Sequence, residues 1–490
     1  MEHATSDSHD DYTEIIQKLP VYLKLGYGTG HVLNDICASM WFTYLLVFFH
    51  LVLGFDPTLA GVVLLIGQVA DALVTPFVGF QSDRQDDFWL CRYGRRKAWH
   101  LIGTICVLFG FPFIFSPCIG CENAHQYAQL IYYAAFVVIF QFGWAAVQIS
   151  HLALVPELTL SEHERTELIA IRFTFTVFSN VLVYCIMWSI LHITSGQYDT
   201  QIGPDDIYKF QKVVLIGMAT GLAASMIFHC VVKEGANGSA NGSLLQRSSR
   251  SASTLLKDVR LYQVAWIYML TRLFINLCQI YIPLYLHESL NMPATSLAYI
   301  PLTMYLSSFL MSLIIERLNT KLGRKITYSI GALLGICSCI WIRLGDDNEN
   351  YIKYQIYVVA ILLGSASAIM LVTSLGVTAD LIGKHTESGA FAYGIMSFTD
   401  KLSNGLMVML IQYLVKHLSQ GYANEYYRNI LAYVCGSSAT LALLMILYIK
   451  PFSHDIIFDT LHNREESFIE SSNENYTNSF SQQQDNANVQ

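Results

Sequence analysis

Four ionisable side chains, Asp35, Asp71, Arg172 and Lys401, stand well inside apolar stretches of the chain. A charge held in hydrocarbon is costly, so such a residue faces a protein cavity, a partner or an ion path, and marks a binding or proton-transfer site. Two carboxylates and two cations have the chemistry to hold both ends of a zwitterion, because hydrogen bonds between ionised groups are the strong ones. Polar residues around them fall on helical faces. Gln141, Trp144, Gln148 and His151 recur at i, i+3, i+7 and i+10, a single stripe. Gln68, Asp71 and Thr75 form a second, His31 with Asp35 a third, Arg272, Asn276 and Gln279 a fourth, and Ser397, Lys401 and Asn404 a fifth. Stripes from both halves imply a polar central cavity. A lone Gln or Asn serves as well to hydrogen-bond two packed helices together, but that reading does not extend to four buried charges. No nucleophile–base pair, phosphate-binding loop or metal cluster stands out, so the pattern points to a carrier and away from an enzyme.

The elements that must position these residues are membrane helices. Of 490 residues 53% are hydrophobic and 13% charged, against roughly 25% charged in a soluble domain. About 20 apolar residues span a bilayer, and twelve such runs occur: 25–51, 58–80, 99–116, 128–155, 168–193, 211–232, 261–287, 296–315, 326–344, 355–381, 388–416 and 429–450. The expected fold class is an all-α polytopic membrane protein with twelve transmembrane helices in two six-helix bundles. Residues 1–24 form a cytosolic tail without a cleavage-site pattern, 25–232 the first bundle, 233–260 a linker, 261–450 the second bundle and 451–490 a disordered tail. The linker holds EGANGSANGSLLQRSSRSAST, whose Gly, Ser and Asn content makes it flexible. A faint duplication agrees with the division: Gly94-Arg95-Arg96 returns as Gly323-Arg324-Lys325, and PELTLSEHERTE is echoed by ADLIGKHTE. Internal repeats of this kind accompany a midplane site between two bundles.

Charge sets the orientation. Arg84, Arg92, Arg95, Arg96 and Lys97 crowd the second connection and Arg317, Lys321, Arg324 and Lys325 the eighth, while the connections after runs 1, 3 and 7 hold no Lys or Arg. The positive-inside rule then puts both termini in the cytosol. The net charge of -8 comes largely from the two tails and implies no nucleic acid. Of eleven Cys, only Cys118 and Cys121 stand out, as CIGC on the opposite face, where an oxidising lumen would join them and a reducing one leave two thiols. In the first tail, Asp11-Tyr12-Thr13-Glu14-Ile15-Ile16 reads as an acidic di-leucine-like signal and, from Tyr12 to Ile15, as a tyrosine-type one, both for sorting adaptors.

Gly79, Asp83, Arg84, Gly94, Arg95 and Arg96, a Gly turn and an Asp beside a basic run, resemble the gating-loop motif of the major facilitator superfamily. That resemblance implies a cytosolic latch in which Asp83 pairs with basic groups near a helix end. Within the superfamily, LGYGTGHVLNDICASMWFTYLLVFF, ADALVTPFVGF with RYGRRKAW, and LVPELTLSEHERTELIAIRF resemble the first helix, the second helix and loop, and the fourth-to-fifth connection of the glycoside-pentoside-hexuronide cation symporters. The resemblance implies that Asp35 and Arg172 bind substrate, that Asp71 belongs to a cation site and that Lys401 links the two. Two of that family's carboxylates are Thr75 and Gln148 here. A site for a hard cation such as sodium wants several oxygen ligands, whereas Asp71 alone could still carry a proton.

Closer similarity, carried by HVLNDICASMWFTYLL, PFIFSPCIGC, QFGWAAVQISHLALVPEL, VTSLGVTADLIGKHTESGAFAYG and SFTDKLSNGL, is to an animal branch of the superfamily and covers both halves. It implies a carrier of lysosomes and pigment organelles that supports cysteine entry, with the plasma membrane the alternative location. The substrate-binding set is then Asp35, Arg172, Lys401, Gln148, Trp144 and His151, with Asp71 and Thr75 for coupling. No cofactor is expected, although proton coupling is open. A cation-coupled sugar or organic-ion symporter, and a non-transporting scaffold, are the competing classes. Epitope tags at both ends should be reachable in intact organelles from the cytosolic side only; protection of either tag from protease would overturn the orientation.

Overall fold

The computed structural model describes residues 19–83, 93–121, 123–159, 161–194, 201–234, 259–345, 348–382, 386–416 and 423–449. No strand occurs among them. Inside hydrocarbon every backbone N–H and C=O must be satisfied within the segment, which leaves the helix as the form open to each apolar run. The helices are α1 (Val21–Val52), α2 (Pro57–Asp83), α3 (Arg95–Ile114), α4 (Gln126–Leu158), α5 (Glu162–Thr194) and α6 (Ile207–Val231). There follow α7 (Val259–Ser289), α8 (Ser296–Leu322), α9 (Arg324–Leu344), α10 (Ile356–Ile382), α11 (Thr386–Val415) and α12 (Glu425–Tyr448). All but α11 contain a window long and apolar enough to cross a membrane, 11 spans in the described residues. Boundaries move where capping decides. The fifth run was expected from Leu168, but α5 begins at Glu162, because Ser161 accepts the Glu164 N–H at 3.5 Å, the N-terminal half of a capping box.

Contacts group the chain into two compact units, one of residues 1–246, 291–302 and 405–419, the other of 247–290, 303–404 and 420–490. In the first, α3 lies against α4 with backbone on backbone: a Cβ on Gly103 would stand 2.7 Å from the Gly143 carbonyl oxygen. Small residues at such crossings let two helices approach without a hydrophobic drive, which lipid does not supply. The same unit closes one end with an aromatic cluster, Phe48 to Phe115 at 5.2 Å, Phe111 to Phe140 at 4.8 Å and Phe49 to Tyr133 at 4.8 Å between ring centres. In the second unit Gly331 admits Ile369, where a Cβ would meet the Ile369 Cγ2 at 2.7 Å, and Gly364 sits under the Met304 carbonyl. Leu73, Phe77 and Phe80 of α2, at i, i+4 and i+7, remain exposed and form an apolar stripe suited to lipid.

Two local features recur in the halves of the sequence. α1 ends in a π-helical turn at Phe48–Val52 and α7 in another at Tyr285–Ser289. Gly94 and Gly323, just ahead of α3 and α9, both have positive φ, 118° and 78°. These are the glycines of the duplicated Gly-Arg segments. α1 and α7 are also the most buried spans, each with 78% of its window inside the protein.

Replacing Gly103 by Val should separate α3 from α4 and cost on the order of 1–3 kcal/mol or more, read as a lower melting temperature in detergent. Gly79→Ala, at a helical position with nothing within 4 Å of the new Cβ, should leave the melting temperature unchanged or raise it. Equal losses in both variants would show that the α3–α4 contact is not what limits packing.

Candidate functional site

The site is built on an interruption of α1. Its first part, Val21–Thr29, ends at Gly30, and its second, Val32–Val47, restarts after His31. Gly30 has no side chain where α4 and α6 press closest: a Cβ there would stand 2.6 Å from the Phe228 ring and 2.7 Å from the His151 ring. That approach brings two imidazoles to the backbone of the interruption. His151 Nε2 lies 2.8 Å from the Tyr27 carbonyl oxygen and His100 Nε2 2.9 Å from that of Gly30. A carbonyl only accepts, so both rings donate from Nε2, and the tautomers are set. His100 Nδ1 is left as an acceptor, 3.1 Å from His229 Nε2. Tyr27 stacks on His151 at 4.1 Å and donates its hydroxyl to the His151 carbonyl at 3.2 Å.

One turn further along, Asp35 is buried in the first turn of the restarted helix, where the helix dipole favours an anion. Its Oδ1 is 2.9 Å from His31 Nδ1, and its Oδ2 accepts from the Thr176 hydroxyl of α5 at 3.0 Å. Arg172, one turn before Thr176, reaches His31 Nε2 at 2.9 Å. A guanidinium has no acceptor. Arg172 therefore donates to Nε2, and His31 in turn donates from Nδ1 to Asp35. A neutral imidazole thus bridges a buried anion and a cation, and Arg172 Nε is buried with no hydrogen-bond partner. Nearby, Asn34 donates to the Trp144 carbonyl at 3.0 Å and the Trp144 indole donates to Gln148 at 3.1 Å.

The residues singled out from sequence are distributed accordingly. Asp35, Arg172, Trp144, Gln148 and His151 belong to the first unit, where Asp35 and Arg172 meet through His31 and the Trp144–Gln148 pair joins them through the neighbour of Asp35. His151 is fully buried and engaged with Tyr27, so its place is in the packing that holds the interruption. Asp71, also buried, takes a 3.0 Å bond from Thr75 one turn on. Lys401 lies half-buried on α11 in the second unit. Its neighbour Asp400, unmarked in sequence, is buried and accepts from Arg272 Nε at 3.1 Å and Asn404 at 2.6 Å. His31, Thr176 and Asp400 received no role from the sequence. Thr176 follows Arg172 by four positions, the spacing that could have revealed it.

The basic loop is organised by an acidic partner the sequence did not mark. Gly94 caps α3 with φ 118° and faces Glu234, whose carboxylate accepts from the N–H groups of Arg96 and Lys97 at 3.1 Å. The first N–H groups of a helix are orphan donors, and a carboxylate satisfies them. Arg96 Nε stands 3.1 Å from Glu157 of the PEL segment. Arg95 lies in the same first turn of α3. Arg84, the Asp83 side chain and the Asp11, Tyr12, Ile15, Ile16 signal lie outside the described residues. At the other end of the first unit, Cys118 and Cys121 are joined as a disulfide and Lys416 pairs with Asp56 at 2.9 Å. Burial pushes the Asp56 carboxyl up, but the bonds from Lys416 and Thr58 outweigh it and hold the group below its ordinary value. Gly94→Ala should combine a strained backbone with a collision against Glu234 and cost about 1–3 kcal/mol. Gly323→Ala, strained but with nothing within 4 Å, should lower the melting temperature less; the reverse order would refute the role of Glu234.

Comparison with known proteins agrees with this architecture. The chain is 44% identical over 453 residues to "Major facilitator superfamily domain-containing protein 12" of Mus musculus, covering 88% of this chain and 94% of the relative. It is 34% identical to "Uncharacterized symporter sll1374" of Synechocystis sp. over 34% of this chain and 30% of that one. The crystal structure of the nucleoside transporter NupG superposes with a TM-score of 0.64 at 15% identity, over 87% of this chain and 100% of that one, which establishes the shared fold. The family described as MFS/sugar transport protein matches residues 26–453. With that match spanning nearly all the described helices, the chain belongs to the MFS/sugar transport family and is a multi-pass membrane transporter of the major facilitator superfamily.

Proposed function

We propose that the chain is an alternating-access carrier of a small zwitterion, cysteine, into the lumen of lysosomes and pigment organelles. The observation that carries this reading is the buried Asp35–His31–Arg172 chain, which sets a carboxylate and a guanidinium one imidazole apart in a helix bundle. A zwitterion offers an ammonium group for the first and a carboxylate for the second, and Arg172 Nε has a free donor to give. Cysteine and the organelle rest on the resemblance set out from the sequence. Lys401 of α11 joins the substrate-binding set on the resemblance alone, and Trp144 with Gln148 borders the Asp35–His31–Arg172 chain. The two bundles and the cytosolic termini complete the proposal, and Glu234 with Arg96 belongs to the gating loop.

A second reading, a cation-coupled sugar or organic-ion symporter, is favoured by the family's description and the symporter name of the cyanobacterial relative. Against sodium stand Thr75, which spends its hydroxyl on Asp71, and Gln148, which accepts from Trp144, where a hard-cation site would want carboxylates. A scaffold is disfavoured by the buried charges. Asp71 is the expected conformational residue of α2.

In proteoliposomes, cysteine uptake should be unchanged when choline replaces sodium, and sugars should not compete. Asp35→Asn, Arg172→Gln and Lys401→Gln should each reduce uptake by about tenfold or more, the loss of one charged hydrogen bond, with protein abundance near normal. If Asp35 and Arg172 are only a structural pair, removing one strands the other and abundance falls instead. A charge-exchanged double variant with full uptake, steep sodium dependence, or a sugar as the transported species would each sink the assignment.

A further inference from the structure

His31 has no part in the binding reading beyond bridging Asp35 and Arg172. It is buried, yet both ring nitrogens are committed to charged partners, Nδ1 to Asp35 at 2.9 Å and Nε2 to Arg172 at 2.9 Å. The groups that face it come from every packed element. α5 brings Arg172, with Thr176 on the far oxygen of Asp35. α4 brings His151, its ring 5.7 Å away, held by Tyr27, and α3 brings His100, tied to Gly30. α6 contributes Phe228, 4.4 Å from His100 between ring centres, and His229 beyond it. On its own helix stand Asp35 and Tyr27. His151 and His100 each donate to a backbone carbonyl as neutral rings, so His31 is the imidazole of this group that touches the two charged side chains directly.

We propose that His31 is an acid-operated release switch: a proton on its imidazole and the ammonium group of a zwitterionic substrate compete for the single carboxylate of Asp35. The inference rests on the zwitterion reading above. In the neutral state the Nε2 lone pair holds Arg172 by accepting its N–H, and Asp35 keeps a full charge to offer an ammonium group. When Nε2 takes a proton from the aqueous side, that lone pair is gone and Arg172 faces a second cation. The Nδ1–H, which already donates to Asp35, now belongs to a cation that neutralises the carboxylate, and the ammonium group loses its partner. Only the proton moves, and it returns to water when Arg172 regains Nε2. A site opened to an acidic compartment therefore discharges a zwitterion, and a site opened to neutral solution reloads it. The switch uses no carboxylate other than Asp35, which separates it from the coupling role assigned to Asp71.

The test is cysteine binding to the purified full-length chain by calorimetry between pH 7.5 and 4.5, with counterflow in proteoliposomes. The wild type should bind less tightly in acid, approaching tenfold per pH unit once His31 titrates, and should release a proton on binding, read from the buffer dependence of the heat. His31→Gln, which keeps a donor and an acceptor but cannot charge, should show an affinity for cysteine that, whatever its level, no longer changes with pH. N-acetylcysteine, which has the carboxylate without the ammonium group, should not weaken in acid on the wild type, an arm that requires no variant to fold. Affinity for cysteine that is flat or tighter in acid, a full pH effect in His31→Gln, or acid weakening of N-acetylcysteine would each overturn the switch. Counterflow of cysteine with pH-independent affinity sinks the switch alone, whereas no cysteine binding or counterflow at any pH sinks the substrate reading and the switch with it.

Discussion

Hydrocarbon tolerates no unsatisfied backbone, and the candidate site exists because α1 breaks that regularity in a place where the protein can repair it. The interruption at Gly30 and His31 would expose carbonyls and loosen the most buried span of the first unit. Two imidazoles from α3 and α4 cap it instead, and they reach it only because Gly30 has no side chain. Irregular backbone at membrane depth is tolerated where it is buried in protein or lines a cavity. The restarted helix then presents its dipole to Asp35.

The second constraint is charge. Asp35 and Arg172 in direct contact would make a tight buried ion pair, whose attraction competes with anything that seeks either partner. His31 between them keeps each satisfied through a weaker neutral bridge. The arrangement holds two opposite charges ready without letting them neutralise each other. Arg272, Asp400 and Asn404 form a more conventional solution in the second unit, a direct pair buttressed by an amide.

Glycine placement carries the rest. Gly103 on Gly143 and Gly364 under Met304 set helix spacing, while Gly94 and Gly323 turn the chain ahead of α3 and α9 with positive φ. The first group answers the weak association of helices in lipid; the second answers the need to begin a helix immediately after a loop. Glu234 shows how the loop gains specificity, since its carboxylate closes the α3 terminus while Arg96 turns to Glu157.

The sequence by itself determined the helices, because apolar length and lipid solvation leave one backbone solution for each run, and their place inside apolar runs made Asp35, Asp71, Arg172 and Lys401 conspicuous. Its duplicated Gly-Arg segments also foretold two equivalent turns, since positive φ is a property glycine confers locally. What it left undecided depends on neighbours far apart in the chain. Nothing at position 31 says that its ring bridges residues 35 and 172, and nothing at 151 distinguishes a cavity-lining histidine from one that repairs Tyr27. Helical periodicity reports which residues share a face, but not which residue of another helix stands opposite. Glu234 escaped notice because a carboxylate just past a helix end has no signature until its partner, the α3 terminus, is brought to it by packing, and Asp400, although inside the eleventh apolar run, gains its meaning only from Arg272 of another helix.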